Sequence, residues 1–129
     1  MHRSINNFNS KEVAMDIENI KKIILQFSQN RNWDYAHNPK NLSMALNVEA
    51  SELLEIFQWL SLEEAANLQG EKKEHAKQEI ADIAIYLIRM CIKLDINLEE
   101  AILETMKLNE KKYPLIDENG EKIEYGKKS

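Results

Sequence analysis

The sequence predicts an all-α protein organised as a four-helix-bundle-type domain with a short extra helix. Its 129 residues include only 3 Gly and 2 Pro, fewer turn-forming residues than sandwiches, barrels and Rossmann-type folds require. Hydrophobic residues make up 43% of the chain, which is enough to form one core at this length. Apolar residues recur at helical spacing along most of the chain. We therefore expect a helical domain over residues 1–114 and an irregular C-terminal tail over 115–129.

Two long helices are predicted in the first half of the chain. Ser10 can cap the first helix, which is expected to end near Arg31. Its apolar stripe consists of Val13, Ile17, Ile20, Ile24 and Phe27. The polar segment NRNWDYAHNPKN is predicted to be a loop. Asn38 then provides an N-cap, with Pro39 at the first helical position, for a second helix that runs to about Trp59.

The second half of the chain predicts three more elements. A Ser-x-x-Glu capping box at residues 61–64 indicates a short helix. The central helix is expected over about 71–94, because its second half is apolar over a wide arc. Asn97 can cap a last helix, which must stop before Pro114. An Asn-Gly turn signal at 119–120 makes the tail either a small hairpin or a disordered end.

The charge and the cysteine content of the chain indicate which partners and which compartment to expect. Lys and Arg number 17 against 22 Asp and Glu, giving a net charge of −5. Because phosphate polymers and anionic bilayers attract a cationic surface, we expect no nucleic-acid polymer and no membrane as partner. The chain has no apolar signal region, and its most apolar stretch is too short to span a bilayer. Cys91 is the only cysteine, which fits a reducing compartment, so we expect a cytoplasmic protein.

Two pairs of carboxylates fall where apolar residues belong. Glu49 interrupts the apolar stripe of the second helix, and Glu52 lies roughly 60° round the same face. Glu79 and Asp82 repeat the spacing in the most apolar part of the central helix. A single such acid is usually a solvated residue at the edge of a stripe. If the two helices face each other, however, like charges about 4 Å apart repel by roughly 4 kcal/mol at an effective dielectric of 20.

Either some of these acids stay protonated or a cation binds between them. An all-oxygen ligand set favours a hard ion, Mg²⁺ with Mn²⁺ as a possible substitute. A di-iron bundle needs Glu-x-x-His pairs, and no glutamate here has a histidine three residues later. Zinc is also disfavoured, because His2, His37 and His75 are scattered and Cys91 lies on an apolar helix.

These motifs resemble those of the all-α MazG-like nucleoside triphosphate pyrophosphohydrolases, most closely the dCTP pyrophosphatase-like branch. The resemblance covers roughly residues 27–114 and rests on FSQNRNWDYAHNPKNLSMALNVEASELLEIFQW, EIADIAIYL and KLNEKKYP. It implies Mg²⁺-dependent cleavage of a (deoxy)nucleoside triphosphate, dCTP or a modified dCTP, to the monophosphate and pyrophosphate, a housecleaning activity. The implied metal ligands are Glu49, Glu52, Glu79 and Asp82, with Glu52, and after it Glu49, as the catalytic proton acceptor.

The resemblance also implies a set of substrate-binding residues. These are Trp33 and Trp59 around the base, Tyr86 and Asn109 in the pocket, Lys107 and Lys112 near the phosphates, and His37 as a hydrogen-bond donor or general acid. Core packing is the alternative for each aromatic residue, and a solvated surface position is the alternative for each lysine.

Two other functions stay open at this point. One is a related pyrophosphohydrolase acting on dUTP or phosphoribosyl-ATP. The other is a non-enzymatic helical interaction module, in which the acids are structural. We also expect a homodimer or homotetramer, as in the family, with part of each pocket lent by a neighbouring subunit. The wide apolar arc of the central helix supports this, since a small monomer cannot cover it.

Overall fold

The structure is a computed structural model that describes residues 14–125. This part of the chain folds into five α-helices: α1 (Ile17–Asn30), α2 (Pro39–Phe57), α3 (Leu62–Ala66), α4 (Gly70–Leu94) and α5 (Leu98–Lys112), with a 3₁₀ turn over Asp34–Ala36. Within residues 14–125 there is no β-strand, only an isolated antiparallel bridge in the tail. The predicted all-α class is confirmed. No helix of the described segment has the length and hydropathy needed to cross a bilayer.

Side-chain caps fix the starts of four helices, three of them at the residues predicted. The Asn38 side chain accepts a hydrogen bond from the backbone N–H of Asn41 at 2.9 Å, and proline follows the cap. Asn97 caps α5 in the same manner. Both halves of the capping box between Ser61 and Glu64 are formed. These three predicted helix starts are confirmed, because a cap depends only on residues within one helical turn.

The first helix begins later than predicted. Asp16 rather than Ser10 caps it, since the Asp16 carboxylate accepts from the backbone N–H of Asn19 at 3.1 Å. Residues 14–16 are not helical, and Ser10 lies outside the described residues. The helix ends at Asn30, next to the predicted end at Arg31.

The core is built mainly between α2 and α4, with α1 packed on the same helix α4. Leu42 of α2 is 1% exposed, and burying such a side chain contributes about 1.5–3 kcal/mol. The other buried apolar residues are Ile24, Ala76, Ile88 and Cys91. Because α2 and α4 share this interface, acids on their facing sides come close together.

α4 ends in a Schellman motif. Asp95 adopts the left-handed conformation at φ 54° and ψ 48°. The N–H of Ile96 donates to the Cys91 carbonyl at 2.9 Å, and the N–H of Asp95 donates to the Ile92 carbonyl at 3.4 Å. This reversal leads directly into α5.

α5 adds little to the core of a single chain. None of its residues is buried. Its large apolar side chains, Ile102, Leu103, Met106 and Leu108, are all more than half exposed. Ile102, Leu103 and Met106 share one side of the helix, and an exposed apolar face is typical of a surface that packs against another chain.

The tail forms a small turn closed by backbone hydrogen bonds. Ile116 and Lys122 form the isolated bridge, and Gly120 adopts a positive φ of 81° at the predicted turn. The Asp117 carboxylate accepts from the backbone N–H groups of Asn119 and Glu121, at 2.8 and 2.9 Å. The described residues of the tail thus form a bridged turn, which is closer to the hairpin alternative although no strand forms.

Candidate functional site

Three carboxylates from the two main helices converge at the α2–α4 interface. Glu49 comes from α2, and Glu79 and Asp82 come from α4. One oxygen from each lies within 4.8 Å of the others. Glu79 is only 7% exposed, Glu49 is half-buried and Asp82 is exposed. The cluster therefore has a buried floor at Glu79 and opens to solvent at Asp82.

The surroundings of Glu49 in this cluster disfavour the ionised form of its carboxyl group. The pKa of Glu49 is raised to about 7, first because it can share a proton with the adjacent Glu79 carboxyl and then because it is partly buried. The charges of Glu52, Glu79 and Asp82 raise the pKa of Glu49 further. Without a cation, the cluster therefore retains a proton at pH values where an ordinary glutamate is fully ionised.

Glu79 forms the buried end of the cluster and is only partly hydrogen-bonded. Its Oε1 lies 3.2 Å from His75 Nε2, one turn earlier on α4. Its Oε2 is buried and has no hydrogen-bond partner among the described residues. Buried carboxylate oxygens are normally satisfied, and leaving one unpaired costs about 1–3 kcal/mol or more. Three converging oxygen donors with one unsatisfied atom fit a divalent cation.

Glu52, the fourth predicted ligand, lies beside this group rather than in it. It is half-buried on the cluster side of α2, and its charge raises the pKa of Glu49. No oxygen of Glu52 belongs to the three-carboxylate set. Glu52 thus neighbours the site without converging on the same point.

A cavity of about 380 Å³ opens beside the acids. Glu49 and Asp82 line it together with an aromatic and apolar group: Ile23, Ile24, Phe27, Trp33, His37, Ile85, Tyr86 and Arg89. A separate depression of about 470 Å³ beside α3 is lined by residues that form no such acidic cluster. The cavity beside the acids therefore combines a cation-binding end with an aromatic end.

Trp33 is held at the aromatic end by the turn after α1. Asn32 adopts a left-handed φ of 54°, and the Trp33 N–H then donates to the Ser28 carbonyl at 3.0 Å. The indole packs edge-on against Phe27, with ring centroids 5.6 Å apart at 68°. It remains 45% exposed, so one face stays available for stacking on a flat ligand. Core packing, the alternative for Trp33, does not describe this position.

A polar group around Arg89 lies at the same end. The Arg89 Nη1 donates to Ser28 Oγ and lies 3.4 Å from His37 Nδ1. Ser28 Oγ in turn donates to the Ile24 carbonyl at 3.2 Å. Burial lowers the pKa of His37, and the charge of Arg89 lowers it further. The imidazole is therefore neutral at pH 7, which favours a hydrogen-bonding role over a general acid.

Sequence reasoning missed Arg89 and Ser28. In the sequence, Arg89 only interrupts an apolar arc and Ser28 is an ordinary helical residue. They are 61 positions apart, and the contact becomes visible only when α1 packs on α4. A charged residue placed near the apolar arc of a central helix was the one signal available.

Four predicted substrate-binding residues do not line this cavity in a single chain. Trp59 follows α2 and is 87% exposed, which excludes core packing for it. Asn109, Lys107 and Lys112 lie on α5, which contributes no lining residue. One chain therefore brings only Trp33, His37 and Tyr86 of the predicted set beside the acids.

Comparison with known proteins gives consistent matches. A family model described as the MazG-like family matches residues 44–127, which include all four predicted acids. The chain is 32% identical over 111 residues to dCTP pyrophosphatase 1 of Rattus norvegicus, covering 84% of this chain and 65% of that protein. It is 33% identical over 100 residues to dCTP pyrophosphatase 1 of Homo sapiens, covering 76% of this chain and 59% of that protein. The chain thus spans a little under two thirds of the length of these relatives.

A solved structure shares the same architecture. A pyrophosphatase from Archaeoglobus fulgidus superimposes with a TM-score of 0.73 at 38% identity, covering 80% of this chain and 96% of that one. The family match, the relatives and this structure agree with the resemblance carried by the acidic motifs. The chain belongs to the MazG-like family.

Proposed function

We propose that this chain is a Mg²⁺-dependent nucleoside triphosphate pyrophosphohydrolase that acts on deoxynucleotides, with dCTP or a modified dCTP preferred. The observation that carries the proposal is the convergence of Glu49, Glu79 and Asp82, with a buried unpaired oxygen, at one end of an aromatic cavity. The names of the relatives support the chemistry, since they are dCTP pyrophosphatases and a pyrophosphatase. Removal of unwanted nucleotides from the pool is the corresponding cellular role.

The acids hold the metal and prepare the water. Glu49, Glu79 and Asp82 would ligate the cation, with Glu52 beside them. A bound Mg²⁺ would supply positive charge against the pyrophosphate leaving group and would lower the pKa of nearby water. Glu52 accepts the proton of the attacking water, because it neighbours the site but is free of the converging set. Glu49 is the second candidate for this role.

The reaction adds one water across the bond between the α and β phosphates. The water oxygen bonds to the α phosphorus, the bond from that phosphorus to the bridging oxygen breaks, and pyrophosphate leaves. At the other end of the cavity, Trp33 stacks on the base, and Tyr86 and the neutral His37 offer hydrogen bonds to the nucleoside. These contacts hold the α phosphorus next to the acids.

A homodimer or homotetramer completes the pocket. The half-exposed apolar face of α5 supports this assembly, because none of the residues of α5 is buried within the described chain. In the assembly, α5 of a second copy brings Asn109, Lys107 and Lys112 to the cavity, and the exposed Trp59 joins the base site. Asn109 then binds the base edge, and the lysines balance the β and γ phosphates.

A substrate panel tests the activity. Purified protein is incubated with unmodified and modified deoxynucleoside triphosphates in Mg²⁺, and pyrophosphate release is measured. We expect dCTP or a modified dCTP to give the highest kcat/KM, and Glu49→Gln and Asp82→Asn to lower kcat at least about 100-fold with helicity retained. Glu55→Gln, on the exposed face of α2, is the matched control and keeps full activity.

Two results of the panel would overturn the proposal. Unchanged turnover in Glu49→Gln and Asp82→Asn would remove the site assignment. No turnover with any triphosphate, together with equal melting temperatures with and without Mg²⁺, would leave the interaction module as the function.

The shared pocket has its own test by complementation. Glu79→Gln and Asn109→Ala are each expected to be nearly inactive, and the two variants are then co-expressed. Random pairing makes half of the dimers hybrid, and each hybrid regains one intact pocket, so activity recovers to about a quarter of wild type. If both residues serve the pocket of their own chain, co-expression restores nothing.

A further inference from the structure

The end of the cavity away from the acids carries a cation without a carboxylate. Arg89 is half-buried, and no Asp or Glu within residues 14–125 forms an ion pair with it. Its partners are the Ser28 hydroxyl and the His37 ring, both through Nη1. Burial lowers the pKa of the guanidinium. A partly desolvated charge with only neutral partners is unfavourable in the folded protein, which points to a ligand that supplies the missing interactions.

The place of Arg89 on α4 separates it from the phosphate end. It follows Asp82 by seven residues, which is about two turns and roughly 10 Å along the helix axis. Ile85 and Tyr86 line the cavity between them, and Trp33 lies on the Arg89 side. With the triphosphate at the acids and the base stacked on Trp33, as proposed above, the base rather than the phosphates lies toward Arg89.

The groups of Arg89 and His37 that are left for a ligand are donors. Because a guanidinium can only donate, His37 Nδ1 accepts from Arg89, and the neutral ring carries its proton on Nε2. Nε and Nη2 of Arg89 have no hydrogen-bond partner among the described residues. A ligand that matches this end must present acceptors. Keto oxygens and ring nitrogens of nucleobases accept, whereas the amino group of adenine donates.

We propose that Arg89, oriented by Ser28 and His37, is a base-selecting residue that donates hydrogen bonds to a keto oxygen of the nucleobase. It favours cytosine, uracil and guanine nucleotides over adenine nucleotides. A keto oxygen has two lone pairs and can accept from both free guanidinium nitrogens, whereas each ring nitrogen of adenine accepts a single hydrogen bond, and N1 and N7 lie beside the donating amino group. The inference rests on the proposed function, and it assigns part of the substrate selectivity to a residue of this chain that lies outside the acidic cluster. Ser28 is a positioning residue in this arrangement.

Kinetics of Arg89 variants test the proposal. kcat/KM is measured in Mg²⁺ for dCTP, dUTP, dGTP and dATP. We expect Arg89→Met to lower the value about 10- to 100-fold for the keto-base substrates and to change it less than about 3-fold for dATP. Ser28→Ala keeps the charge of Arg89 but removes the hydroxyl that orients it. We expect this variant to lower kcat/KM for the keto-base substrates relative to dATP as well, by a smaller factor. An equal loss with all four substrates, restored by Arg89→Lys, would instead identify a phosphate contact and overturn the proposal.

Folding and metal-free binding separate the outcomes. Arg89→Met removes an uncompensated charge, so its melting temperature is expected to equal or exceed that of wild type, and a large fall would assign Arg89 a structural role. Calorimetry with dCMP and dAMP in EDTA measures selectivity without turnover, and we expect wild type to prefer dCMP about tenfold and Arg89→Met to lose the preference. If wild type hydrolyses no triphosphate but keeps this preference, only the proposed function fails. If wild type hydrolyses triphosphates but has no such preference, only this inference fails.

Discussion

Replacing Glu49 by glutamine removes a carboxylate whose ionisation the folded protein opposes. Its pKa in the fold is about 7, compared with the ordinary value of 4.5. Fully realised, this difference corresponds to about 3.4 kcal/mol. Because Glu49 is partly exposed, solvent screening reduces the contribution to about 1–2 kcal/mol.

The sign of the effect follows from proton binding. The folded state binds the Glu49 proton more tightly than the unfolded state, so this group stabilises the fold fully below about pH 4.5. The contribution is lost as the pH rises through about 7. In the absence of divalent cations, the free energy of unfolding of wild type is therefore expected to fall by about 1–2 kcal/mol more than that of Glu49→Gln between pH 4.5 and 7.5.

Urea denaturation followed by circular dichroism in EDTA measures this difference. Wild type, Glu49→Gln and the exposed control Glu55→Gln are compared at several pH values and one protein concentration. Titrating groups outside the acidic cluster, His37 among them, are common to all three proteins and cancel in the difference. Glu52, Glu79 and Asp82 interact with Glu49, so the difference reports the titration of the cluster as a unit. Parallel pH profiles for wild type and Glu49→Gln would refute the reasoning, as would a Glu55→Gln profile that follows Glu49→Gln.

Three further predictions concern the scaffold. Leu42→Ala is expected to lower the free energy of unfolding by about 2–5 kcal/mol in urea, whereas Leu54→Ala, exposed on the same helix, costs less than about 1 kcal/mol; equal losses would contradict the described packing. Asp95→Gly removes the steric cost of a non-glycine side chain in the left-handed conformation and is expected to stabilise the folded protein by up to about 1 kcal/mol in thermal melts. A lower melting temperature would count against the Schellman geometry. Asn38→Ala removes a cap and is expected to cost about 1 kcal/mol, and an unchanged melting curve would show that the cap contributes nothing.

Local features of the fold were predictable from the sequence. The caps at Asn38, Ser61 and Asn97 form as expected, because each needs one side chain and a backbone N–H about one turn away. The start of the first helix was wrong for a related reason. Asp16 and Ser10 are both good caps, and the sequence alone does not rank two caps that precede the same apolar stripe.

Only those site residues that interrupt the apolar stripe of a helix could be predicted from the sequence. Glu49 was identified because it breaks an apolar stripe, and the structure brings it to Glu79 and Asp82. Spacing did not show that Glu52 lies beside this set, because Glu79 and Asp82 have the same three-residue spacing and both converge. The difference depends on how α2 and α4 pack, and spacing within one helix does not report that. Arg89 was missed because its partners come from α1 and the following loop, and long-range packing decides such contacts.

The buried position of Cys91 allows local opening of α4 to be measured through the reactivity of this thiol. The thiol is buried on α4 and is the only one in the chain. A bulky alkylating reagent can reach it only when the helix separates from its neighbours, so the labelling rate measures how often that region opens. Mass spectrometry of a single added group then measures local opening of the helical bundle without any engineered probe. Slower labelling after addition of metal or nucleotide reports that the ligand binds.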